Sequence, residues 1–363
     1  MTFVALLAGC VLTACSLLTS YEGLEGATKV DATTPVVDSS VPDVVDAAAL
    51  ADPCANEGLP APPDASGGTT NLGQLTGAVR TVRFIDGDAS TIFGLNMDRT
   101  CGSSCVSSAA SPPKDPASGI DNAAFDLFQL LKSLGLRLSD VAFNDALKAG
   151  LWGLVIRLEG YSGMPDDDNV QLELLNAADV NGGDGGARLD GTDKWIIDSA
   201  SIVAGVSLFR SKVAYVRGNV LVARFERFPL TLRVPGGTNV VLVLTPELFS
   251  VTVTAKIVSS ADGGLTLKEG KLAGAMPPEQ FLLQTQRLGT CKSDPLFNTA
   301  VDYVCGVRDL ATTLTAPVTD KCDRISTAIE FETIPAHVSP MVKVVKDMIA
   351  CDGGDPTAGC GSR

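Results

Sequence analysis

From Leu151 onward, apolar and polar residues alternate in short runs. In LWGLVIRLEGY, Leu154, Ile156 and Leu158 face one way while Val155, Arg157 and Glu159 face the other, the period-two signature of a strand. NVQLELLNA repeats the pattern, and KWIIDSASIV, VSLFRSKVAYV, NVLVARFE, FPLTLRV, NVVLVLT, LFSVTVTAKIV and LTLKEGKL continue it. Turn chemistry separates them at Arg217-Gly218-Asn219, Pro235-Gly236-Gly237 and Asp262-Gly263-Gly264. Upstream, AVRTVRFID (78–86) and TIFGLNMD (91–98) flank Gly87-Asp88 and predict a strand pair. ISTAIEFETIPAHV (325–338) predicts a late strand.

The period changes in five places. In GIDNAAFDLFQLLKSLG (119–135), Ile120, Ala124, Phe125, Leu127, Phe128, Leu131 and Leu134 share one broad helical face, with Asp121 as N-cap and Gly135 as stop. LSDVAFNDALKAG (138–150) predicts a second helix ending at Gly150. PPEQFLLQTQRLG (277–289) has proline in its first turn and glycine after its last, and LFNTAVDYVCGVRDLATTL (296–314) reads as another helix. VSPMVKVVKDMIA (338–350) reads as a short amphipathic helix. The expectation is a mainly β body with flanking helices, an α+β chain built on an antiparallel β-sandwich or jelly roll. Its limits are 71–290, with a helical insertion near 119–150, and a cysteine-rich segment 291–363 packs on it.

The first seventy residues follow neither period. Phe3 to Ala14 is apolar or small and carries no charge, too short to span a bilayer but suited to a secretory signal. It ends Leu12-Thr13-Ala14-Cys15, which looks like a bacterial lipobox: residues 1–14 are a signal, and the Cys15 thiol takes the lipid. Leu7-Ala8-Gly9-Cys10 is a second box by residue type, with fewer apolar residues ahead of it. Acyl chains at ~0.8 kcal/mol per buried methylene would anchor the mature chain durably. In lipoproteins that this start resembles, a serine after the cysteine permits export to the outer membrane, and Ser16 stands there.

Residues 15–70 read as a disordered acidic tether. Glu22, Glu25, Asp31, Asp38, Asp43, Asp46, Asp52, Glu57 and Asp64 are opposed only by Lys29 among prolines, alanines and threonines. Such a chain spans roughly 40 Å by coil statistics. The tether thus carries much of the net charge of −14. An acidic chain with no basic stripe excludes nucleic acid as a partner.

After Cys15 the cysteines are Cys54, Cys101, Cys105, Cys291, Cys305, Cys322, Cys351 and Cys360. An even number in an exported chain reads as disulfides. CGSSC lacks the spacing and the partners of a zinc half-site. A local Cys101–Cys105 bridge, or one from each to Cys54 and the C-terminal group, fits better. Cys351–Cys360 would close the tail.

Catalytic constellations are sparse. His337 is the only histidine, so a Ser–His–Asp triad would have to use it. Ser162 in GYSGM has Met164 where a nucleophile elbow needs glycine. Ser111-Pro112-Pro113-Lys114 matches S-x-x-K in letters, but its prolines forbid the helix turn. No phosphate-binding loop occurs, which leaves nucleotides without a site. Glu159, Glu173 and Glu226 are the carboxylates a glycan hydrolase could pair across strands. Asp166, Asp167, Asp168, Asp179, Asn181 and Asp184 lie in glycine-rich loops and are the candidate ligands of a calcium ion. The plainer alternative is that such residues simply build solvated turns.

CSLLTSYEGLEG, the acidic tether with DPC, and GIDNA, GYSGMPDDDNV and CDRIS along the body resemble uncharacterised lipoproteins of Gram-negative bacteria. The resemblance implies a cell-envelope address and no particular chemistry. Together the features suggest a lipid-anchored envelope protein whose body binds a ligand, a glycan or another envelope protein. A carboxylate hydrolase and a purely structural component are the alternatives.

Overall fold

Two covered faces explain why the strands of this protein are so apolar. In a computed structural model, the described residues are 54, 58–64, 71–84, 86, 92–102, 105–107, 118–133, 138–183, 185–237, 240–259, 264–287, 290–314, 319–345, 351 and 360. Cys10, Cys15, the signal and most of the tether lie outside them.

The strands are β1 (Leu75–Arg83), β2 (Gly153–Glu159), β3 (Gln171–Val180), β4 (Lys194–Asp198), β5 (Ile202–Val203), β6 (Val206–Ser207) and β7 (Val213–Arg217). The chain continues with β8 (Val220–Pro229), β9 (Leu232–Gly237), β10 (Val240–Leu244), β11 (Glu247–Ser259), β12 (Leu265–Met276), β13 (Ile325–Pro335) and β14 (His337–Lys343). Four helices accompany them: α1 (Ala123–Ser133), α2 (Asp140–Lys148), α3 (Pro278–Arg287) and α4 (Pro295–Gly306).

Ten strands form one sheet in the order β14-β4-β3-β2-β1-β13-β12-β11-β8-β7. Every pairing is antiparallel except that of β14 with β4, so the sheet is mixed at one edge. The sheet curls until its β7 side meets β3. Glu173 bridges Arg210, Asp167 bridges Val216, and backbone bonds run from Ser211 N–H to Leu172 O (2.8 Å) and from Leu174 N–H to Phe209 O (3.0 Å). The strands from β3 round to β7 therefore make a nearly closed barrel, which satisfies edge groups that an open sheet would expose.

Alternation sorts side chains between two cores. Leu154, Ile156, Leu158, Leu172 and Leu174 join the main cluster with Val251, Val253, Leu267 and Phe331. Val155, Leu175 and Ala177 face the other way and pack with Trp195, Ile197 and Ala336, because β4 and β14 lie over that face. The layer is close: a Cβ on Gly153 would sit 2.5 Å from the Trp195 ring, so only glycine fits beneath it.

Helices fill the remaining side. The Ser139 hydroxyl caps α2 by accepting from Ala142 N–H. Asn144 on that helix bonds both N–H and C=O of Val82, and Asp140 accepts from Phe84 N–H. Phe84 then stacks edge-on against Phe128 of α1 and at a tilt against Phe143 of α2.

The body is mainly β with flanking helices, as the patterning predicts. Four local expectations are overturned. Residues 338–350 do not begin as a helix: Val338 and Val342 pair in parallel with Trp195 and Ile197 of β4. No strand forms at 92–98, where Leu95 makes one bridge to Asp121, because both edges of β1 are taken by β2 and β13. Asp121 does not cap α1; its carboxylate accepts from Met97 N–H (2.5 Å), while Ala123 N–H goes to Ser326 Oγ (2.7 Å). The helix read at 296–314 stops at Gly306, beyond which Asp309 turns to accept from Ser326 N–H. The C-terminal segment also belongs to the sheet itself, since β13 lies between β1 and β12; residues 50–363 form one compact unit.

All eight body cysteines are paired: Cys54–Cys101, Cys105–Cys322, Cys291–Cys351 and Cys305–Cys360. Cys101 and Cys105 thus part company, one to Cys54 and the other to the C-terminal group. Cys351 and Cys360 do not pair with each other, because each reaches back to the α3–α4 region. Cys54 is fixed at more than its bridge. Its carbonyl accepts from Asn96 Nδ2 (2.8 Å), and a few residues on, Pro60 O accepts from the Tyr215 hydroxyl (2.6 Å) on β7.

Candidate functional site

The cross-strand register brings two of the three candidate carboxylates together. Arg157 on β2 stands opposite Glu173 on β3, and Glu173 bridges Arg210 on the segment leading into β7. Glu173 Oε2 lies 2.5 Å from Arg157 Nη2, and its Oε1 lies 3.0 Å from Arg210 Nε. Arg210 also reaches Glu159 (3.2 Å), which accepts from Gln74 Nε2 (2.6 Å). Glu173 is 2% exposed. Burial raises its carboxyl above the usual range, Arg157 and Arg210 pull it back, and the charge of Glu159 adds to the rise. Both carboxylates are engaged by guanidinium groups at the seam where the sheet closes, so the geometry is that of a latch. Glu226 is elsewhere, exposed, 3.8 Å from Lys212.

The acidic loops build turns. Asp167 accepts from Ser162 N–H (2.7 Å) and Asn169 N–H (3.0 Å). Asp166 accepts from Gly218 N–H and pairs with Arg217, joining this loop to the β7–β8 turn. Asp168 is exposed. Asp179 pairs with Lys343 at 2.7 Å, and Asn181, with φ of 52°, accepts from Lys194 N–H and donates to Asp193. Asp184 lies outside the described residues. Among the described residues, no group of three or more His, Cys, Asp and Glu side chains is arranged to hold a metal ion. Ser162 is buried, its Oγ facing Met164 N–H, and His337 is exposed at the start of β14. Ser111 and Lys114 are outside the described residues.

Two cavities have ligand-like linings. One, of about 40 Å³, lies among Phe84, Phe128, Leu232, Leu244, Met276 and Phe281, between the main core, α1, α3 and the β9–β10 hairpin. It is apolar and well below the ~300 Å³ at which small-molecule sites begin. The other is an open cleft of about 350 Å³. Asn96, Ser250, Thr252, Thr312 and Thr313 bring amide and hydroxyl groups to it, Arg224 adds a half-buried guanidinium group, and Leu95, Met97, Phe225 and Leu314 give it apolar walls.

The local fold explains the cleft. Between Phe249 and Thr252, β11 carries two residues where β12 carries one, Gly274. This bulge puts Ser250 at φ of 49°, a left-handed conformation that costs a serine on the order of 1 kcal/mol. Asn96 is held rigidly, donating to Cys54 O and accepting from Thr100 N–H. Thr312 donates to Asp323 (2.6 Å). None of these residues stands out in the sequence; a serine inside the alternating run LFSVTVTAKIV gives no sign of a bulge. No protein-family model, curated protein or solved structure matches this chain.

Proposed function

We propose that this chain is a lipid-anchored protein of the cell envelope, held through Cys15 at the outer membrane, and that its body is a binding module for a glycan. The observation that carries the binding reading is the cleft between β8, β11 and the 95–97 and 312–314 segments. Its hydroxyl and amide groups match sugar hydroxyls, and its apolar walls match the C–H face of a pyranose ring. The volume suits a short oligosaccharide, and the Ser250 bulge is the kind of strained feature that clusters at binding sites. The four disulfides support export, since such bridges form and persist in oxidising compartments.

A glycan array followed by thermal melting tests the reading. A bound oligosaccharide at about a hundred times its Kd stabilises by roughly 2.7 kcal/mol. Thr313→Arg, which fills the cleft from an exposed position, should abolish the shift while leaving the unliganded melting temperature unchanged. Absence of binding across the array, or a shift that survives Thr313→Arg, would contradict the assignment.

A further inference from the structure

The β5–β6 hairpin is built in an unusual way. Ile202 pairs with Ser207 and Val203 with Val206, leaving Ala204-Gly205 as a two-residue turn with both φ angles positive, 51° and 83°. Such turns favour Asn-Gly or Asp-Gly, whose polar first residue tolerates the left-handed conformation and faces water. Here an alanine takes the strained position, and the tip stays apolar. Val203 is 59% exposed, Val206 50%, Leu208 54% and Val213, at the start of β7, 52%. From Ser199 to Phe209 the chain carries no charge, while Arg210 and Lys212 follow at once.

The tip is held out by a fixed base. Ser207 Oγ donates to Leu174 O (3.0 Å), Leu208 N–H donates to Ser201 O (3.0 Å), and Asn176 N–H donates to the buried Ser201 Oγ (3.1 Å). Three neighbouring apolar side chains therefore stand in solvent on a rigid support, which water disfavours and an apolar phase would favour. The N-terminal segment enters beside them: Pro60 is bonded to Tyr215, two residues from Val213 on the same face of β7. The polypeptide that leads back to Cys15 thus meets the body at the strand that follows the apolar hairpin.

We propose that the Val203–Leu208 hairpin inserts its tip into the bilayer surface on which the chain is anchored, and so fixes the orientation of the body. Aliphatic side chains held in solvent on a rigid hairpin, beside the point where the chain leading back to Cys15 enters, are the arrangement that an interfacial element requires. The inference rests on the lipid-anchor reading, and its test separates the two.

The acylated full-length protein is reconstituted into phosphatidylethanolamine/phosphatidylglycerol vesicles after Val206→Cys substitution and labelling with an environment-sensitive fluorophore. Asp145→Cys, at an exposed position of α2, is the reference site. The Val206 label should emit to the blue of its spectrum in buffer, and nitroxide lipids should quench it several-fold more than the Asp145 label. Leu208→Cys serves in the same way should Val206→Cys fold poorly. If the protein floats with the vesicles while the tip label reports water, the hairpin inference fails and the anchor stands. If the protein does not float, the anchor reading fails. A blue shift in buffer that tracks a monomer–dimer equilibrium in sedimentation would assign the tip to a second copy and overturn insertion.

Discussion

Arg210 and Glu173 face each other across the seam at which the sheet closes, Nε to Oε1 at 3.0 Å, with Arg157 completing the row on the neighbouring strand. The seam has few backbone bonds compared with the ladders elsewhere, so these side chains contribute heavily to closing it. Arg157→Met leaves the buried Glu173 carboxylate without its closest partner and is expected to cost about 3–5 kcal/mol, read from urea unfolding. Glu173→Leu combined with Arg157→Met removes both buried charges and should cost less than the single change. Equal losses would show that the pairing is not what holds the seam.

A second expectation concerns pH. Glu332 lies under Lys268 (2.7 Å) and Arg80 (2.6 Å), whose hydrogen bonds hold its carboxyl below the usual range. Its contribution is fully present above the ordinary glutamate pKa and is lost as pH falls through the lowered folded value. The stability difference between wild type and Glu332→Gln should therefore be constant near neutrality and shrink in acid. Glu173 works in the opposite sense. Its folded pKa is raised, so its titration favours the folded state at low pH and loses that benefit as pH rises through the raised value. Melting curves of Glu332→Gln and Glu173→Gln beside the wild type between about pH 3 and 7 check the two signs.

Gly153→Ala should destabilise by about 1–3 kcal/mol, because the added methyl meets the fully buried Trp195 ring. Loss of the parallel β4–β14 layer from that face would appear as a changed tryptophan emission. A neutral substitution would mean that this layer packs less closely than described.

Non-reducing peptide mapping should recover Cys54 with Cys101 and Cys105 with Cys322, and no Cys351–Cys360 peptide. The Cys105–Cys322 bridge closes the longest loop, with a sequence separation of 217. Its removal by Cys105→Ser and Cys322→Ser is expected to cost roughly 5.4 kcal/mol by the loop-entropy relation. A Cys101–Cys105 bridge in the native protein would contradict the fold of both segments.

Much of the barrel was legible because its strands have two distinct faces. Leu154, Ile156 and Leu158 against Val155 and Arg157 mark β2 unambiguously, and Gly150 marks the end of α2. What failed was what depends on distant partners. VSPMVKVVKD has apolar residues at helical spacing, yet its state is settled by β4, more than 140 residues away in sequence. Asp121 has the chemistry of an N-cap, but Ser326 takes that role from β13. Glu159 and Glu173 were visible as candidates; that Arg210 binds both was not, since it follows from where the sheet closes. The cleft was illegible for the same reason, as its walls come from three separated segments and a bulge without a sequence signal. Cysteine pairing cannot be read from spacing when on the order of a hundred pairings are open.

The central claim is that an exported chain is anchored through Cys15 and carries an oxidised body. Intact-mass and N-terminal peptide spectrometry of protein purified from its native host, alkylated without reduction, tests it most directly. The account predicts a mature N-terminus at Cys15 bearing acyl chains, with Cys54 and the seven cysteines after it unreactive towards alkylation. An unprocessed, unacylated N-terminus with those eight thiols alkylated would contradict it.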